Sequence, residues 1–94
     1  MSLKNRAKQN LIAKAHTLHP VIIIGNQGVS AGVIQETDRA LFDHELIKIR
    51  IPSGDKAEKT AMAEELAEKL QAECLKMIGN ILIFYRASHK NDKK

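Results

Sequence analysis

Gly25 and Gly28 stand three residues apart, with Asn26 and Gln27 between them. Four β-branched residues, Val21, Ile22, Ile23 and Ile24, come directly before this turn, and Ser30, a helix-capping type, comes just after it. A strand, a glycine turn and a helix start in that order place the turn where open α/β sheets bind ligands. Glycine leaves the backbone uncovered and open to conformations other residues avoid. Consecutive amides can then point at one anion, and the following helix dipole adds partial positive charge. Phosphate is the natural guest. The same spacing also serves an ordinary tight turn, because glycine punctuates loops in general.

Charge decides between these two readings. The chain carries 15 Lys and Arg against 11 Asp and Glu, a net charge of +4. Residues 1–28 hold Lys4, Arg6, Lys8 and Lys14 and no acid. Lys48 and Arg50 alternate with Ile47, Ile49 and Ile51, so they share the outward face of a strand. Arg86, Lys90, Lys93 and Lys94 outnumber Asp92 at the other end. A polyanionic partner fits this arrangement. Gly-x-x-Gly loops also clamp the nucleic-acid backbone in KH domains. The candidate contacts for a nucleic-acid backbone are therefore Gly25, Asn26, Gln27, Gly28 and Ser30 at the turn, with Lys4, Lys8, Lys14, Lys48, Arg50 and Arg86 around it.

Other chemistry is poorly served. Gly25 and Gly28 are too close for a P-loop and no Gly-Lys-Ser/Thr follows; the dinucleotide fingerprint is also missing. His44-Glu45 has no second histidine at helical spacing, which excludes the zinc-protease pattern. Cys74 follows Glu73, and a neighbouring carboxylate disfavours the thiolate, so Cys74 reads as structural. His16 and His19 flank a helix end, where imidazole meets free carbonyls. No enzyme, cofactor, metal or small-molecule substrate is expected. One cysteine excludes an internal disulfide framework and fits a cytoplasmic location. The longest apolar runs, at 21–24 and 81–85, are far too short to span a membrane. Aromatics make up 3% of the chain (Phe42, Phe84 and Tyr85), so a stacking platform is missing. Phe84 falls in step with Arg86 and reads as core, with support of a single base as the alternative.

The scaffold follows from periodicity. Ninety-four residues suffice for one domain. Leu3, Ala7, Leu11, Ala15 and Leu18 mark a first helix, capped by Ser2 and stopped before His19-Pro20. Residues 21–24 read as a buried strand. A second helix starts at Ser30 and turns Val33, Thr37, Ala40, Leu41 and His44 inward. Residues 46–51 form a strand ended by Pro52-Ser53-Gly54. Asp55 and Glu58 form a capping box for a third helix, with Ala57, Ala61, Met62, Leu66 and Leu70 inward and an acidic outer face. Residues 74–78 and 81–85 form a hairpin about Gly79-Asn80, where both positions tolerate positive φ. The order α-β-α-β-α-β-β predicts an α/β fold: a single two-layer domain over residues 1–86 with a mixed four-stranded sheet. Its two strand–helix–strand units imply parallel neighbours. Residues 87–94 read as a polar basic tail.

These strings resemble a known family. His19-Pro20-Val21, Gly25-Asn26-Gln27-Gly28-Val29-Ser30 and Gly32-Val33 are followed by Glu36, Ala40, Leu41 and the run His44-Glu45-Leu46-Ile47-Lys48-Ile49-Arg50. Ile78-Gly79 and Phe84-Tyr85-Arg86 come near the end. Together, over about residues 3–86, they resemble the CRM domain (chloroplast RNA splicing and ribosome maturation) in its stand-alone bacterial YhbY-type form. The resemblance implies a fold similar to the C-terminal domain of translation initiation factor 3. It also implies non-catalytic RNA binding, with bacterial members associated with precursors of the large ribosomal subunit. Many relatives place a lysine or arginine inside the loop; here Asn26 and Gln27 are neutral. The expected function is an RNA-binding module acting in ribosome assembly, with ribosomal RNA or pre-ribosomal particles as partner. The alternatives are a duplex-DNA or chromatin-type binder and a protein-interaction module using the acidic third helix.

Overall fold

The computed structural model describes residues 5–87. The elements are α1 (Asn5–Ala15), β1 (Pro20–Ile23), α2 (Ala31–His44), β2 (Leu46–Arg50), α3 (Lys56–Leu70), β3 (Glu73–Ile78) and β4 (Ile81–Tyr85). Their order is the one periodicity predicts. The sheet runs β1-β2-β4-β3, with β1 parallel to β2 and β4 antiparallel to both of its neighbours. Only the first crossover therefore joins adjacent strands. The second carries the chain past a gap that β4 fills. Leu82, Ile83 and Phe84 of β4 are all 0% exposed, a state open to a strand covered on both faces and paired on both edges.

Two clusters make the core. Ile22, Ile24, Ile47, Ile49, Ile51, Leu82 and Phe84 meet Leu41 of α2 and Ala63, Leu66 and Leu70 of α3 on one face. On the other face Ala15, Leu11 and Ile12 of α1 meet Leu75, Ile83, Leu46 and Tyr85. The two expected layers thus gain a third, partial one, because α1 lies across the side that Lys48 and Arg50 were to keep wet. Ile47 pairs directly with Phe84, so Phe84 belongs to the α2 and α3 side and offers no platform for a base.

Several inward faces shift. In α3 the buried residues are Ala63, Leu66 and Leu70, with Met62 half-buried, while Ala57 and Ala61 are exposed. Alanine adds too little apolar area to set a helix's phase. Thr37 and Leu41 of α2 are fully buried, but His44 is exposed. Ala7 of α1 is exposed, and Ser2 and Leu3 lie outside the described residues. In β1, Val21 is 48% and Ile23 69% exposed. This is an edge strand, and only its α2-facing side, with Ile22, is buried.

Local chemistry sets the ends. Ser30 Oγ accepts from the Val33 N–H at 3.2 Å. Asp55 Oδ1 accepts from the Glu58 N–H at 2.8 Å while Glu58 Oε1 accepts from the Asp55 N–H at 3.2 Å, completing the capping box. Glu45 (φ 66) and Gln71 (φ 52) end α2 and α3 with positive φ, where glycine is the usual choice. At the hairpin Gly79 has φ 58 and Asn80 is not among the positive-φ residues. That matches a type II′ turn, not one with both positions positive.

Candidate nucleic-acid interface

The parallel strands β1 and β2 end at one edge of the sheet, and the β3–β4 hairpin turns at the same edge because Arg50 pairs with Ile81. The Ile24 N–H donates to the Arg50 carbonyl and the Ile51 N–H to the Asn80 carbonyl, both at 2.8 Å. Three loops, 24–30, 51–55 and 79–80, therefore converge. Between them opens a groove of about 520 Å³ whose lining includes Gly25, Asn26, Arg50, Ser53, Asn80 and Ile81.

The glycine turn closes on itself. The Gly28 N–H donates to the Gly25 carbonyl at 3.0 Å, with Gly28 at φ 80. Its amide is engaged inside the turn and is not offered to a ligand. Ser30 Oγ is likewise held at the start of α2. The amides of Asn26 and Gln27 have no acceptor among the described residues, and both residues are exposed. The turn thus keeps two amides without an internal acceptor, and Asn26 lines the groove together with the exposed Arg50. Two N–H groups on successive residues and a nearby arginine can hold one phosphate.

The structure separates the remaining cations. Lys48 is half-buried, on the same sheet face as Arg50 and opposite Pro20. Lys8 stands 3.9 Å from Glu73, over the far strand. Lys14 lies at the end of α1 beside a different pocket, with His19, Val21 and His44. Lys4 lies outside the described residues, as does the expected tail apart from Ala87. Arg86 is a latch: its guanidinium donates to Asp38 Oδ1 at 2.7 Å, to the Leu70 carbonyl at 3.0 Å and to the Asp38 carbonyl at 3.0 Å. It follows β4 at the end away from Ile81, roughly 15 Å from the groove. Of the predicted residues, Gly25, Asn26 and Arg50 therefore meet in the groove, Gln27, Gly28 and Ser30 follow in the same loop, and Lys48 shares the strand face of Arg50; Lys8, Lys14 and Arg86 lie elsewhere.

Asn80 and Ser53 were missed. Asn80 Nδ2 donates to Ser53 Oγ at 3.2 Å, and Lys59 Nζ donates to the Gly79 carbonyl at 3.2 Å, bracing the groove's far wall. The signal was available: every loop at the C-terminal edge of a parallel pair is a candidate wall. Cys74 is half-buried, and burial pushes its thiol above the ordinary value. Burial, more than Glu73, keeps it protonated. Among the described residues no three metal-ligating side chains cluster, and no helix is long and apolar enough to cross a membrane.

The model of the CRS1/YhbY (CRM) domain matches residues 3–86. The chain belongs to the CRM family. A Haemophilus influenzae protein named RNA-binding protein is 35% identical over 95% of this chain and 90% of its own length. A Pseudomonas aeruginosa protein named a probable RNA-binding protein is 32% identical over 99% of this chain and 89% of its own. The solution structure of a Staphylococcus aureus hypothetical protein superposes with a TM-score of 0.83, at 31% identity, covering 97% of this chain and 95% of that one. In this CRM domain the loop at 25–28, the end of β2 and the hairpin form one continuous edge.

Proposed function

We propose that this CRM protein is a non-catalytic RNA-binding module that acts in the cytoplasm on the precursor of the large ribosomal subunit. The turn at residues 25–28 holds backbone phosphate, and Arg50 and Lys48 supply charge. The observation that carries this reading is the groove in which Asn26, whose amide has no acceptor among the described residues, lies against Arg50. Names given to the relatives support the RNA partner, and the family resemblance supports the ribosomal setting.

Gly25 gives the cleanest test. A Cβ placed there meets nothing within 4 Å, and its φ is not positive. Gly28 also has space, but its φ of 80 would strain any side chain. Gly25→Val should therefore fold normally and place a branched side chain over the cradle. Affinity for structured RNA, read by filter binding, should fall several-fold in this variant. In the parent protein it should fall by about 0.7–0.9 log units per tenfold rise in salt for each phosphate neutralised. Unchanged affinity in folded Gly25→Val would remove the cradle, and a salt-independent affinity would remove the phosphate contacts altogether.

A further inference from the structure

Helix α1 covers only the half of its sheet face that holds Leu46, Leu75, Ile83 and Tyr85. Among the described residues no helix covers the other half. There the strand register aligns Ile23, Arg50, Ile81 and Ile78 in one row across all four strands. Ile23 is 69% and Ile78 42% exposed, Arg50 is exposed and Ile81 half-buried. Strands lie about 4.8 Å apart, so the row spans roughly 14 Å. Val21, 48% exposed, and Lys48 stand behind it. Ile23, Arg50 and Ile81 also line the groove beside the 25–28 turn, so the row and the turn form one surface.

Phosphate contact explains the cations of this surface and not its isoleucines. A duplex presents phosphates, sugars and groove edges, and keeps its base planes stacked inside. A single strand offers those planes, which are apolar and stack on a guanidinium. A second copy of the chain would gather Arg50 and Lys48 of both copies into one two-fold contact, a like-charge cost. We propose that the row Ile23, Arg50, Ile81 and Ile78 seats the unstacked bases of a single-stranded RNA segment whose phosphates lie against the 25–28 turn. This rests on the RNA-binding reading and narrows its substrate to unpaired RNA.

The test compares a short single-stranded RNA with a duplex of equal length, using the full chain and the double variant Ile23→Thr, Ile78→Thr. Both positions are exposed and threonine keeps the β-branch, so the fold should survive, as a thermal melt will check. The parent should prefer the single strand. The double variant should lose about five-fold or more on the single strand and nothing on the duplex, as apolar contact is removed. Its salt slope should not change, because no cation is lost, whereas Arg50→Gln should flatten the slope by about 0.7. Equal binding of both RNA forms by the parent, or full single-strand affinity in the folded double variant, overturns the base seat and leaves the RNA reading standing. Dimerisation of the parent that the double variant abolishes, seen by sedimentation, also overturns it in favour of a second copy. Failure of the parent to bind either RNA overturns the reading beneath.

Discussion

The Arg86 guanidinium joins three elements: it follows β4, binds Asp38 of α2 twice and reaches the carbonyl that ends α3 at Leu70. Its side chain is 22% exposed, so its donors would lose water without these acceptors. Arg86→Ala should lower unfolding free energy by about 1–2 kcal/mol in denaturant titration. That is less than three charged hydrogen bonds suggest, because the Asp38 side chain is 60% exposed. Arg86→Lys should recover only part, since an ammonium lacks the planar fork. RNA affinity of the folded protein should stay the same; a large loss would return Arg86 to the binding surface. Nothing local announces this role. Asp38 lies 48 positions away, and a cation after a strand looks the same whether it meets a phosphate or a carboxylate. The glycines differ: their freedom is a property of the residue itself, so the turn was legible before its hydrogen bond was seen.

Helix α3 shows which element-level signals carry through. The Asp55–Glu58 box is written in four consecutive residues and forms as predicted. Asp55→Ala should cost about 1 kcal/mol, lowering the melting temperature by about 4–8 °C in calorimetry, with RNA affinity little changed. A melt equal to the parent's would mean that the cap is idle. The inward face of the same helix was misplaced at Ala57 and Ala61, because alanines stand on both faces and only Leu66 and Leu70 fix the phase. Strand β1 misled in the opposite way. Four β-branched residues read as buried throughout, yet Val21 and Ile23 are exposed. Which side of an edge strand is covered depends on where a distant helix lies. Here no helix among the described residues covers Ile23, which opens the row proposed to seat unstacked bases.

Across the molecule, the acidic cluster of α3 and the cations at the end of β2 lie on opposite faces of the sheet. Exposed Glu64, Glu65 and Glu68 belong to α3, which packs on one sheet face, while Arg50 and Lys48 look out from the other. Such a separation orients an approaching polyanion toward the face that carries Arg50 and Lys48. Changing the three glutamates to glutamine should raise RNA affinity a few-fold at low salt, and the gain should fade near physiological salt, where the Debye length is about 8 Å. Stability should change little, since the Glu65–Lys69 pair at 3.1 Å is exposed. Loss of RNA binding in this variant would place the interface on α3 instead.

Element order, caps, turn and polyanion preference were determined by residues close together in the chain: hydrophobic period, glycine spacing and local charge act over a few positions. Strand order, the side of the sheet that α1 covers, the pairing of Arg86 and the shared edge of three loops were decided by the tertiary structure alone. They depend on contacts between segments far apart in the chain, where a central strand is chosen by how much apolar area it can bury on both faces. No single segment carries that comparison; it is made only when all of them compete for the same core.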